Sequence, residues 1–236
     1  MTLEQRSATT KHDFQRAFEL EQATFGQIAY TPEEFEWIAN HGLVIVLTDP
    51  QRGGLIVAIS SLIFEASEWY LHLHQGEAYF AGNSVLPDYR GGVGQQLALA
   101  QEEAARQAGF STGVTTVRPN NHVNLSLRFK LGWQVFGAER SNYADPAGNP
   151  SGASDDTTGA AGNRLVLKRN LRVPNHDLRI TANTYAGLQK QDDILVPCVL
   201  DSFNVVRELS YQGMQGNYLL LGHQKTDTPS IVFQQP

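Results

Sequence analysis

An apolar run ending at Val85 and Leu86 leads into Pro87, Asp88, Tyr89 and Arg90. It continues through Gly91, Gly92, Val93 and Gly94 to a helical pattern that opens on Gln95, Gln96 and Leu97. A strand feeding a helix through clustered glycines brings bare backbone close to whatever lies above the turn. The helix start adds unpaired N–H groups and the positive end of a dipole. A chain built this way can cradle a phosphate or pyrophosphate there. Absent residues narrow the ligand. Gly94 is followed by glutamines rather than by lysine and a hydroxyl residue, which disfavours a nucleoside triphosphatase. Leu97 stands where a dinucleotide fingerprint carries its third glycine, and too many strands precede the turn for a first βα unit.

The rest of the pattern surrounds that turn. Phe14, Ala17, Phe18 and Phe25 recur at helical spacing. Thr31, Pro32 and Glu34 form a capping box with proline at the first helical position, so a second helix starts near Pro32 and stops before Gly42. Residues 43–48 and 55–64 are β-branched runs around a proline- and glycine-containing turn and read as an antiparallel hairpin. Residues 69–74 alternate and read as a short strand, and residues 77–85 as the strand entering the glycine turn. Val93, Leu97, Ala100, Ala104 and Ala108 make an apolar stripe on the helix that follows. A strand at 114–117, a helix at 121–131, and strands at 133–140 and 164–169 come next. Residues 141–163 lack an apolar period and read as a long loop.

With 236 residues the chain has the length for one large domain plus a small addition. Beyond Leu171 the pattern restarts: a strand within 177–185, a helical run carrying Ile194, Cys198, Ser202 and Val205, and a closing strand at 217–221. Residues 1–170 are therefore expected to form the main domain, and residues 171–236 a small appended α/β segment. One cysteine excludes an internal disulfide and a cysteine metal cluster. A formal net charge of −6 argues against a nucleic-acid face. No segment has the length of a membrane span, and the polar N-terminus lacks a signal core, so the expected location is the cytoplasm.

The glycine turn with Pro87 to Gly94 and Leu97 resembles the acetyl-CoA pyrophosphate loop of the GNAT N-acetyltransferase superfamily. A second segment, Asn121 with Phe129, Lys130, Leu131, Gly132 and Trp133, is similar to that family's asparagine-containing helix ending in glycine and an aromatic residue. The resemblance covers roughly residues 10–170. It implies a mixed, mostly antiparallel, V-splayed sheet flanked by helices, and acetyl-CoA as co-substrate. Ser84, Val85 and Leu86 would hold the pantetheine arm through their backbone. The N–H groups of Gly91, Gly92, Val93, Gly94 and Gln95 would hold the pyrophosphate with Arg90 beside them. Asn121 would bind the cofactor arm, although an N-cap role suits it equally.

The implied reaction is direct acetyl transfer in a ternary complex, to the primary amine of a small molecule or peptide. A carboxylate would take the amine's proton. Glu77, on the strand before the loop, stands where related enzymes place that base; a solvated strand-end acid is the competing reading. Two departures stand out. The loop is one residue shorter than the family's, and the family's acid, a tyrosine four residues before the helix-ending glycine, is replaced by Arg128. Ser126, Arg128 and Tyr143 are the substitutes at hand, and no general acid is assigned. A non-catalytic acyl-CoA-binding regulatory module is therefore the alternative. The appended segment is expected either to cover the acceptor pocket or to form a homodimer contact.

Overall fold

The computed structural model describes residues 2–25, 29–65, 73–118, 121–140, 163–173, 193–197, 219–224 and 230–234. The chain divides into two compact units, residues 1–113 and 114–236.

The first unit carries β1 (Glu4–Ser7), α1 (Lys11–Phe25), α2 (Pro32–His41), β2 (Gly42–Asp49), β3 (Leu55–Ile63), β4 (Glu77–Val85) and α3 (Val93–Gln107). Its strands lie in the order β1-β2-β3-β4, each antiparallel to the next. The expected capping box starts α2: Glu34 N–H donates to Thr31 Oγ1, and Thr31 N–H donates to the Glu34 carboxylate. The expected hairpin is β2 and β3, joined through a single 3-10 turn at Pro50–Arg52. Val44, Val46, Val57, Ile59, Leu62 and Phe80 fill the core between these strands and the helices. Strand β1 had no apolar signal. All its side chains are exposed, and it exists because β2 offers it an unpaired edge.

Helix α3 buries a face rotated from the expected stripe. Of that stripe Leu97 and Ala100 are buried, Val93 and Ala104 half-buried and Ala108 exposed, while Ala98, Gln101, Glu102 and Ala105 are buried as well. The polar Gln101 goes inward because a bulge interrupts the β3–β4 ladder. Ser60 pairs with Asn83 and Ser61 with Ala81, leaving Gly82 as the extra residue. Gln101 Nε2 donates to Ser61 O at 3.0 Å and to Ala81 O at 3.3 Å, satisfying carbonyls at that irregularity.

The second unit holds the end of β5 (Thr112–Val117), α4 (His122–Lys130), β6 (Gln134–Arg140) and β7 (Asn163–Asn170), with β5, β7 and β6 in that spatial order. It also holds a three-stranded antiparallel sheet ordered β8-β10-β9, from β8 (Asp193–Pro197), β9 (Leu219–Gln224) and β10 (Ser230–Gln234). Two expectations change here. Ile194 belongs to strand β8 rather than to a helix, because Ile194, Leu195 and Val196 find a ladder partner in β10. Strand β10 itself was not anticipated. The expected strand at 69–74 lies mostly outside the described residues, as do nearly all of the 141–163 loop, Cys198 and the strand within 177–185. With β1–β7 and α1–α4 the chain has the expected mixed, mostly antiparallel α/β fold. Among the described residues no helix is long and apolar enough to cross a membrane.

Candidate functional site

After Val85 the chain makes a single 3-10 turn over Pro87–Tyr89, closed by Tyr89 N–H to Leu86 O at 2.9 Å. Gly91 and Gly92 follow at φ 108° and 109°, a region open to glycine and strained for other residues. An added Cβ at Gly91, Gly92 or Gly94 would meet nothing within 4 Å, so these glycines face open space rather than a packed wall. Gly92 caps α3 without a side chain. The N–H groups of Gly91, Gly92, Val93 and Gly94 have no acceptor among the described residues, as the first turn of a helix dictates. The Gln95 N–H differs, since it donates to Gly92 O at 3.0 Å. The amide cradle is thus the stretch Gly91 to Gly94, and Gln95 joins it only through its exposed side chain. Arg90 is exposed at the lip, with no ion pair among the described residues.

The loop is braced from below. Tyr89 is buried, and its hydroxyl donates to Asp49 Oδ2 at 2.7 Å while accepting from Arg52 Nη1 at 3.3 Å. Asp49 also accepts the Gln51 N–H, so the β2–β3 turn and the glycine loop share one hydrogen-bond network. Nothing in the sequence marked Asp49 or Tyr89 as partners, because 40 residues separate them.

Ser84 is fully buried, and its hydroxyl donates to Glu21 Oε1 at 3.3 Å. Glu21 sits on α1, 3% exposed, and its other oxygen accepts the Tyr30 N–H at 3.1 Å. A Cβ on Gly82 would lie 2.9 Å from Glu21 Oε1, so the bulge glycine is what lets the carboxyl rest on β4. Burial raises the Glu21 carboxyl from its ordinary 4.5 to about 7, with the charge of Glu34 adding to the rise. Among the described residues no cation stands within ion-pair distance of it. On the same bulge Ser60 Oγ lies 2.5 Å from Asn83 Oδ1, and Asn83 Nδ2 and Ser61 Oγ are buried without hydrogen-bond partners among the described residues. The sequence reading passed over Glu21. Its signal was a charge beside Phe14, Ala17 and Leu20, the buried positions of α1.

Glu77 lies at the opposite end of β4, 8% exposed, where its carboxylate accepts the His74 N–H at 3.1 Å. In the second unit Asn121 is the N-cap of α4, its Oδ1 accepting from Asn124 N–H at 3.1 Å. That bond occupies the oxygen and leaves the amide nitrogen outside the cap. Arg128 is 1% exposed and stacks over the Trp133 ring at 4.7 Å. A guanidinium stays charged at any ordinary pH, and this one is a core cation–π partner rather than a proton donor. Tyr79 and Trp133 are core residues. Tyr143 and Trp69 lie outside the described residues. No three His, Cys, Asp or Glu side chains among the described residues cluster as a metal site would require.

The fold that carries this loop is that of the GNAT N-acetyltransferases. Among similar solved structures is the ribosomal-protein-S18-alanine N-acetyltransferase from Escherichia coli, 19% identical, with a TM-score of 0.53 over 76% of this chain and 100% of that one. Another is a GNAT superfamily phosphinothricin acetyltransferase from Sinorhizobium meliloti in complex with AcCoA. It is 17% identical, with a TM-score of 0.52 over 72% of this chain and 89% of that one. A chain of the NatC complex bound to Gag peptide and CoA matches at 13% identity and a TM-score of 0.54, over 72% and 99%. No protein-family model and no curated protein matches the sequence.

Proposed function

We propose that the protein is an acetyl-CoA-dependent N-acetyltransferase that moves an acetyl group to a primary amine within a ternary complex. The observation that carries this reading is the row of four unpaired N–H groups, Gly91 to Gly94, at the open start of α3 with Arg90 beside it. Such a row suits the two charges of a pyrophosphate. Similar structures that hold acetyl-CoA or CoA support the donor.

In this reading Ser84, Val85 and Leu86 line the donor's arm through their backbone. Arg90, Gly91, Gly92, Val93 and Gly94 hold its phosphates, Gln95 adds its side chain, and Asn121 offers its amide nitrogen. Glu77 is the proton acceptor that the sequence offers. Residues 1–170 form the transferase domain and residues 171–236 an appended segment, in a cytoplasmic protein. The amine must be neutral to attack the thioester carbonyl, so a carboxylate takes the ammonium proton before the C–N bond forms and the C–S bond breaks. The departing thiolate ends as free CoA thiol.

The test is a thiol-release assay with acetyl-CoA and a panel of primary amines: small amines, an amino-sugar antibiotic, a peptide with a free N-terminus and a lysine peptide. Amine-dependent release of thiol is expected from at least one. Tight acetyl-CoA binding without release from any would favour the acyl-CoA-binding module instead.

A further inference from the structure

The proton acceptor of such a transfer must lie within reach of the thioester, and two carboxyls of the first unit compete for the role. Glu77 opens β4, eight residues before Val85, which is about 26 Å along an extended strand. Its carboxylate accepts from His74 N–H, in the turn that precedes the strand and away from the glycine loop. Glu21 comes from a different helix but delivers its carboxyl to Gly82 and Ser84, at the end of β4 that runs into the glycine loop.

The surroundings of Glu21 suit a proton acceptor. Ser84 Oγ–H holds one oxygen and Tyr30 N–H the other, so the carboxyl is oriented from two sides. A base fixed by groups that do not themselves react is the usual arrangement of proton-transfer sites. The titratable groups bearing on it are few. Glu34 of α2 repels its charge. The Tyr30 ring faces the same bulge, 3.6 Å from the Cβ position of Gly82, on the residue whose N–H holds the carboxyl. Strand β3 carries no acid or base, and β4 carries only Glu77 and Tyr79, both before the bulge. A buried carboxylate with two neutral donors and no cation among the described residues lacks one partner, a proton or an ammonium. The carboxyl rests on a β-bulge, a feature over-represented next to active sites.

We propose that Glu21 is the catalytic proton acceptor for the amine, with Ser84 as its positioning residue. This rests on the acetyltransferase reading. The step balances: the ammonium N–H breaks and the proton moves to a Glu21 carboxylate oxygen. The freed nitrogen lone pair forms the amide C–N bond, and the C–S electron pair leaves with sulfur. The amine's second proton goes to the thiolate, and Glu21 returns its own to water.

The experiment compares wild type with Glu21→Gln, Glu21→Asp and Glu77→Gln, using the best amine of the panel above and following thiol release from pH 5.5 to 9. In wild type kcat/KM should fall on the acid side with a midpoint near neutrality. Glu21→Gln should lose that limb and about 100-fold or more in kcat. Glu21→Asp should restore part of the rate, and Glu77→Gln tests the competing carboxyl, since loss of the limb there would move the role to Glu77. A second readout needs no turnover: carbon-13 carboxyl shifts of labelled glutamate should show one group titrating near neutrality, absent from Glu21→Gln. Melting curves of each variant with acetyl-CoA check that the loop still folds. A wild-type limb retained in Glu21→Gln, or lost instead in Glu77→Gln, overturns the inference and leaves the acetyltransferase reading standing. Failure of every amine overturns both, while heat protection by acetyl-CoA would still mark the donor site.

Discussion

Two carboxyls on helix α1 show how environment, not residue type, sets behaviour. Asp13 accepts from Arg6 at 2.6 Å and from the N–H groups of Thr9 and Thr10, which together hold its pKa well below the usual carboxylate range. Glu21, two turns on, is raised to about 7 by burial. The signs are opposite. A depressed group stabilises the fold above the unfolded carboxylate range, and that contribution is lost as pH falls through its folded pKa. A raised group contributes fully below its ordinary 4.5, and stability is lost as pH rises from there to about 7. Acid unfolding should therefore follow Asp13, whereas a decline toward neutrality should follow Glu21. The Glu21 shift corresponds to on the order of 3 kcal/mol above pH 7. Urea titrations at pH 5 and pH 8 should show Glu21→Gln gaining on wild type only at the higher pH, because an amide escapes the cost of charging. A variant that is more stable and slower marks a group kept for chemistry.

Elements matter here chiefly through the bulge in β4. Gly82 has no side chain to clash with Glu21, and Gln101 from α3 takes up the carbonyls of Ser61 and Ala81 beside it. Gly82→Ala would place a methyl 2.9 Å from Glu21 Oε1 and 3.6 Å from the Tyr30 ring. It should cost about 1–3 kcal/mol in chemical denaturation, an overpacking penalty. It should also slow turnover by displacing the carboxyl, with acetyl-CoA binding unchanged, because the loop from Arg90 to Gly94 is not touched. The strand–glycine–helix geometry of the loop was legible, since its glycines and the helix start are local features. Its brace was not, because the Tyr89 to Asp49 bond forms only once β2 and the loop are brought side by side.

At the scale of the whole molecule, the donor site can be tested without knowing the acceptor. A ligand that binds only the folded state at 100 times its Kd adds about 2.7 kcal/mol. For a chain of this size that raises Tm by roughly 5–10 °C. Acetyl-CoA and CoA should produce such a shift in a thermal melt, and ATP and NAD should not. ATP protection equal to that of acetyl-CoA would point to a general phosphate site.

The sequence alone determined what depends on neighbours along the chain. These were the capping box at Thr31, the β2–β3 hairpin, the strand–glycine–helix unit at 85–97, the helix opening on Asn121, and with them the fold class. Periodicity, capping and positive φ are local, and a single chain displays them. Tertiary structure decided what depends on partners far apart in sequence. Strand β1 forms on an edge that only β2 supplies, and Ile194 joins a strand because β10 lies beside it. The carboxyl at the glycine-loop end of β4 comes from α1, 63 residues before Ser84. Burial, the physical quantity that moved Glu21 toward neutrality, belongs to no stretch of sequence. It exists only when α1 is packed on the β4 bulge.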